Sequence, residues 1–391
     1  MQQHSEVLRV VVAPDSYKES LSAAAAAKAM SEGILEAAPE AEVIAVPMAD
    51  GGEGSLAAVL AATGGERMET TVRDANGQLR AAAWAWLEDE SAFIEMAEAA
   101  GLEHIPPDDR RPLQASTYGV GELVLAAVDA GARHIVIGLG GSATTDGGAG
   151  LLQALGVRLY DAEGGDLPPG GAALNALAGI DTRGLDQRVQ DVTFEIAVDV
   201  SNPLTGPTGA AYVFGPQKGA NAQDVAVLDK ALTHFAQVCE KHTGRLLVDM
   251  PGAGAAGGLG YAIKSFFEAE FRPGVELIAE LTHLDDALNG AALVFTGEGR
   301  VDAQTLSGKT PAGVIRRAVR HGADVICLAG ALEDGYSALY EIGLTAAFSL
   351  TPGPVKLRES YERAASLLRE RTRDCMRLWL AGRARGGHDK C

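Results

Sequence analysis

Cysteine is scarce in this chain: Cys239, Cys327, Cys375 and Cys391 are the four in 391 residues, and no CxxC pair occurs. Neither a disulfide framework nor a thiolate zinc site is indicated. Aromatic residues make up 5% against 47% hydrophobic overall, so alanine and glycine do much of the filling. Positive charge is also short, with 33 Lys and Arg against 52 Asp and Glu and a net charge of −19. That balance disfavours nonspecific binding to nucleic acid or an anionic membrane, and an anionic ligand would need a local cluster of cations or backbone N–H groups. No stretch reaches the roughly 18 apolar residues of a membrane helix. The opening, MQQHSEVLRVVVAPDS, has no apolar core ahead of a cleavage site, which predicts no signal peptide and a cytoplasmic protein. HExxH, GxSxG and HRD patterns are missing, and the eight histidines are dispersed. The 48 glycines have no period, and there is no internal repeat.

What is present is alternation. VLRVVVAP, a helix from LSAAAAAKAMSEGILEAA, the strand AEVIAVPM and a helix near Ser55 to Ala62 read as βαβα, the sign of a parallel sheet. RMETTVRD, LRAAAWAWL and SAFIEMA then read as an antiparallel meander, with Asn76-Gly77 as its hairpin signal. From Ala292 the α/β pattern returns, ending in a long helix from about Leu357 to Leu380 and a frayed polar tail. The length suits two domains. The expectation is an α/β protein: a Rossmann- or flavodoxin-like parallel-sheet domain from both chain ends (1–64 and 286–391), interrupted by a mixed α/β domain (65–285).

The chemistry-bearing residues sit in loops after predicted strands. GLGGSATTDGG (Gly138–Gly148) gathers five glycines with Ser142, Thr144, Thr145 and Asp146 ahead of a helical run. Backbone N–H groups at such a turn, including those of Gly140 and Gly141, suit phosphate, and Asp146 suits a cation or a substrate hydroxyl. APDSYKES offers Asp15, Ser16 and Lys18 together; the competing reading is a helix cap. ADGGEG carries Asp50 and Glu53 at capping-box spacing, which alone favours a structural role. FTGEGRVDAQTLSGKT gathers Glu298, Arg300, Asp302, Gln304, Thr305 and Lys309, and its GKT is no P-loop because Ala303 stands where glycine is required. FGPQKGA presents Gln217 and Lys218, by itself an exposed loop. Asp199 and Asn202 in VDVSNPL carry the hard oxygens that Mg2+ prefers, or form an Asx turn before Pro203. Two dinucleotide fingerprints are decoys: Gly138, Gly140 and Ala143 with Asp161 beyond, and Gly252, Gly254 and Gly257 in PGAGAAGGLG.

Taken together these motifs resemble the bacterial glycerate kinase family. APDSYKESLSA, VPMADGGEGS, FIEMA, GLGGSATTDGGAG, DVSNPL, FGPQKGA, DMPGAGAAGGLG and FTGEGRVDAQTLSGK appear in family order between residues 11 and 309. Departures are mild: Thr145 stands where Asn is common, Ser201 replaces a common Thr, and Ser307 a frequent His. The resemblance implies a two-domain enzyme with its active site in the cleft, using ATP and Mg2+ to phosphorylate D-glycerate to 2-phosphoglycerate, as monomer or homodimer, with neither nucleic acid nor membrane as partner. Under it, the Gly138–Gly148 loop cradles ATP phosphates. Lys18, Lys218 and Lys309 neutralise phosphate or carboxylate. One or two of Asp50, Asp199 and Asp302 hold Mg2+. Asp199, slightly ahead of Asp15, orients or deprotonates the acceptor hydroxyl. The rivals are the same kinase giving 3-phosphoglycerate, an NAD-dependent oxidoreductase and a catalytically silent sensor of an organic acid or nucleotide.

Overall fold

The computed structural model describes residues 7–386, and their packing divides into two units. One comprises the residues up to Asp50, Ala57–Gly64 and those from Val275 onward; the other comprises Gly51–Leu56 and Gly65–Gly274. Residues 275–285, read from sequence as part of the insert, group with the terminal unit, and Gly51–Leu56 group with the insert.

The terminal unit holds a five-stranded sheet in the order Ala346–Ser349, Asp324–Leu332, Leu293–Val301, Arg9–Pro14, Glu42–Ala45, parallel throughout. The interior strand Arg9–Pro14 reads RVVVAP because it is covered on both faces; Val10, Val11 and Val12 are fully buried. Numbered within this unit the strands run 2-1-3-4-5, the doubly wound order, and the order reverses between Arg9–Pro14 and Leu293–Val301. Helix Ala23–Ala37 is capped by Ser22, whose hydroxyl accepts from the Ala25 amide at 3.2 Å. The helix at the far end of the chain comes close enough that a Cβ on Gly33 would lie 2.3 Å from the Arg369 carbonyl oxygen. That end is two helices, Leu357–Glu362 and Ala364–Gly386, rather than the one continuous helix expected. Periodicity misses the break at Arg363 because both halves suit a helix; only the second has a buried face, through Leu368 and Met376 against Met30 and Ile34. Helix continues through residues 382–386, where the sequence reading placed a frayed tail; the rest of that tail, Cys391 included, lies outside the described residues.

The inserted unit holds a six-stranded mixed sheet, ordered Glu268–Arg272, Thr193–Ala197, His134–Gly138, Ser91–Glu95, Leu79–Trp86, Glu66–Arg73. The first four strands are parallel, and the last three form the antiparallel meander expected from sequence. Its hairpin turns on Gly77 (φ 86°), and the Asp74 carboxylate accepts from the Asn76 and Gln78 amides. Ile135, Ile137, Phe194 and Ile196 alternate into a core with Leu232 and Phe235 of helix Ala222–Thr243. The parallel register sets Glu95, Gly138 and Ala197 side by side at the carboxyl ends of three adjacent strands. Among the described residues no helix is long and apolar enough to cross a membrane.

Candidate active site

In the terminal unit the candidate residues collect where the strand order reverses, the position at which open α/β sheets place ligands. The chain leaves Arg9–Pro14 at Asp15, whose amide donates to the Gly297 carbonyl at 2.9 Å. The Asp15 carboxylate accepts from the Ser16 amide at 2.6 Å and from the Thr310 hydroxyl at 2.5 Å. Burial, then repulsion from Asp50, pushes this carboxyl up to about 7 despite both donors; Glu298 adds to the repulsion. Tyr17, fully buried, pins the loop by donating its hydroxyl to the Leu328 carbonyl at 2.6 Å. Glycine is required at 297 because a Cβ there would lie 2.5 Å from that same hydroxyl.

The neighbouring strand, Leu293–Val301, carries Glu298, which accepts from the Thr305 hydroxyl at 3.0 Å and lies 3.5 Å from the Lys309 amine. Burial raises the Glu298 carboxyl, and Lys309 opposes that rise. Asp302 is a capping residue: it accepts from the Gln304 amide at 2.8 Å and shares a capping box with Thr305. Arg300 is exposed and faces Glu333 at 3.3 Å. Ser16 is half-buried, and Lys18 and Gln304 are exposed. The capping-box reading of Asp50 and Glu53 does not hold, because the helix begins only at Ser55.

The Gly138–Gly148 loop, in the inserted unit, uses its polar groups differently from the sequence expectation. Asp146 is wholly buried and is taken up by donors of the protein itself. Its carboxylate accepts from the Thr117 amide and hydroxyl at 2.8 and 2.9 Å, and from the Gly148 and Gly150 amides at 3.1 and 3.2 Å. Helix Ala149–Ala154 is six residues long, and the anion at its start is the protein's own carboxylate. Two of the amides at that helix start, those of Gly148 and Gly150, are thus taken by Asp146. Lys218 is not an exposed loop lysine either. It is 2% exposed, and its amine donates to the Ser142 hydroxyl at 2.9 Å and the Thr144 carbonyl at 2.5 Å. Burial pulls the amine down to about 7, and the Asp146 charge only partly restores it. The Thr144 and Thr145 hydroxyls are buried with no protein partner. What the loop shows to solvent is its first half, Gly140 partly and Gly141 fully, the latter at φ 72°.

Two further loops pack on this one. Gly147 donates its amide to the Gly257 carbonyl, and a Cβ on Gly257 would lie 2.1 Å from the Thr144 carbonyl oxygen. The GxGxxG of PGAGAAGGLG is thus a close backbone approach, and Asp161 of the other fingerprint closes a turn through the Glu163 and Gly165 amides. Asp199 is exposed and accepts from the Gly274 amide at 3.0 Å. Asn202 donates to the Thr208 carbonyl, and exposed Gln217 offers its carbonyl to Arg110. Sequence reasoning missed Thr310, Tyr17 and Thr117. The first two lie within or beside quoted motifs, whereas Thr117 carries no local signal. Among the described residues no group of three or more His, Cys, Asp or Glu side chains is placed to hold a metal ion.

Comparison with known proteins agrees with the motif order. The model of the "Glycerate kinase family" matches residues 10–380. The glycerate kinase of Bacillus subtilis is 46% identical, over 94% of this chain and 96% of that protein. Escherichia coli glycerate 2-kinase is 44% identical, over 91% of this chain and 94% of its own length. A solved structure from Salmonella typhimurium LT2, 43% identical, superposes with a TM-score of 0.87 over 97% of this chain and 100% of that one.

Proposed function

This chain belongs to the glycerate kinase family and is a phosphotransferase, and from that premise we propose that it transfers the γ-phosphoryl group of ATP to the 2-hydroxyl of D-glycerate. The observation that carries the mechanism is Asp15: a partly buried carboxyl at the sheet's switch point, held by two donors and lifted to about 7. A base poised near neutrality both exists in its ionised form and retains the drive to accept a proton. Asp15 therefore replaces Asp199 as the group that takes the acceptor's proton, since Asp199 is exposed and committed to the Gly274 amide.

Phosphoryl transfer is chiefly positioning and charge neutralisation. Lys309, paired with Glu298, and Lys18, in the loop that follows Asp15, are the cations these two loops supply. Arg300, Gln304 and Ser16 line the same two loops. Gly141, the exposed residue of the glycine loop, offers its main-chain amide to a phosphate oxygen, and Gly140 holds the turn through its bond to the Gly51 carbonyl. Lys218, Ser142, Thr144, Thr145 and Asp146 shape that loop from beneath. The donor set suits Mg2+, which takes one or two carboxylates and completes its shell with phosphate and water. Asp50, whose charge already strains Asp15 and Glu298, is the leading ligand, with Asp199 second and Asp302 weakened by its capping bonds. Bound there, the ion supplies charge to offset that building on the phosphate oxygens. The three described cysteines are free and buried, which suits the reducing cytoplasm where ATP is at hand.

The test is 31P NMR of the purified protein with MgATP and D-glycerate. A 2-phosphoglycerate resonance is expected. A 3-phosphoglycerate resonance would overturn the acceptor position, and untouched ATP would overturn the activity.

A further inference from the structure

Glu95 is the last residue of strand Ser91–Glu95, stands in register beside Gly138, and is only 3% exposed. Its two carboxylate oxygens are both engaged by main chain 39 to 41 residues earlier: Oε1 accepts from the Gly54 amide at 3.1 Å, and Oε2 from the Leu56 amide at 3.0 Å. Those amides open helix Ser55–Thr63, whose first turn contains no acidic residue of its own. Glu95 thus supplies from a different strand the anion that a helix start favours. Only a carboxylate can accept at both positions, since glutamine would turn an NH2 against one of the two donors.

The segment so held is packed on the glycine loop. The Gly51 carbonyl accepts from the Gly140 amide at 3.3 Å. A Cβ on Gly138 would lie 2.6 Å from the Gly51 oxygen, and one on Gly140 would lie 2.3 Å from Gly52 Cα. On its other side, a Cβ on Gly51 would meet the Ala197 methyl at 2.7 Å. The backbone of 51–56 is therefore fixed from three sides: by Glu95, by Gly138–Gly140, and by the end of strand Thr193–Ala197. Asp50 is the next residue along the chain.

We propose that Glu95 is a positioning residue for phosphoryl transfer, clamping the Gly51–Leu56 turn so that this turn and the Gly138–Gly141 turn hold one fixed geometry. The proposal rests on the kinase reading above. Glu95 touches no reactant and acts through the two turns. Small displacements of positioning loops cost turnover more than affinity, because near-attack geometry is lost while most binding contacts remain.

The test compares Glu95→Gln with the parent enzyme, using MgATP and D-glycerate well below each protein's melting midpoint. The expected result is a fall in kcat of about tenfold or more, with both KM values within about threefold. A kcat within twofold of the parent overturns the proposal, as does a rise in KM at constant kcat. Should the variant not fold, amide exchange in the parent decides. Gly54 and Leu56 are expected to exchange far more slowly than amides of exposed loops, and exchange at the rate of an exposed loop overturns the clamp. An inactive parent would defeat the kinase reading, while the exchange measurement would still judge the clamp separately.

Discussion

The Lys218 amine is the most exacting test of the site's electrostatics. Burial, only partly opposed by the Asp146 charge, takes it from an ordinary 10.5 down to about 7, while it donates to Ser142 and the Thr144 carbonyl. Between those two values the unfolded chain holds a proton that the folded chain does not. Stability therefore rises with pH through the window, and below about 7 the whole cost of a buried charge is present. At about 1.4 kcal/mol per pH unit, the window corresponds to about 5 kcal/mol, and the stretch from pH 8 to pH 10 to about 3 kcal/mol. Lys218→Met removes the titration. It also leaves a hydroxyl and a carbonyl without their donor, a pH-independent penalty of about 1–3 kcal/mol. Guanidinium unfolding of parent and variant, run side by side from pH 6 to pH 10, reads the difference between them and cancels every other titrating group. The parent should gain on the variant steadily above pH 7. Curves that stay parallel would falsify the reading of Lys218 as a buried, neutral brace. A 13C titration of the Lys218 Cε signal checks the same point directly, with a midpoint near 7 expected instead of one above 10.

Five other expectations follow from the same geometry. Asp15→Asn should lower kcat by about 10²–10⁴-fold with the fold intact by circular dichroism, and near-parental turnover would remove Asp15 as the base. Because the base must be ionised, activity of the parent should fall as pH drops through about 7. Thr310→Val deletes a donor that favours the Asp15 carboxylate, so the acid limb of the kcat profile should move to higher pH; an unmoved limb contradicts the assignment. Thr117→Val takes from Asp146 one of its four donors and from the Leu151 amide its acceptor, which should cost about 1–3 kcal/mol in chemical denaturation. Gly140→Ala forces a methyl onto Gly52, and steady-state kinetics should show lost turnover; full activity would mean the two turns are not rigidly paired.

How far the sequence carried the argument depends on the range of the interaction. The parallel strands, the meander and the DANGQ hairpin were legible because their signals lie within a few residues of each other. The loops after Pro14, Gly138 and Ala197 were legible as loops because they follow buried strands. Direction was not. Asp146 looks poised for a ligand until Thr117, 29 residues upstream, is found donating to it twice. Lys218 looks solvated until the fold lays it beneath Ser142, 76 residues away. Glu53 has capping spacing, yet the anion at that helix belongs to Glu95. In each case a long-range hydrogen bond decides whether a polar side chain serves a ligand or the scaffold, and no local pattern encodes it.

The terminal sheet has a consequence for how the protein is made. Its interior strand Arg9–Pro14 pairs Val10 with Val43 on one side and with Leu293 on the other. On the ribosome the first partner arrives at once, and the second follows some 280 residues later. At about 5–20 residues per second, that is a wait on the order of tens of seconds. Meanwhile the inserted unit, nearly contiguous from Gly65 to Gly274, emerges complete and can fold. During that interval the newborn Val10–Val12 edge stands unsealed, an invitation to intermolecular pairing. The demand on chaperones should thus fall on the amino-terminal fragment, and be relieved when Leu293–Val301 arrives.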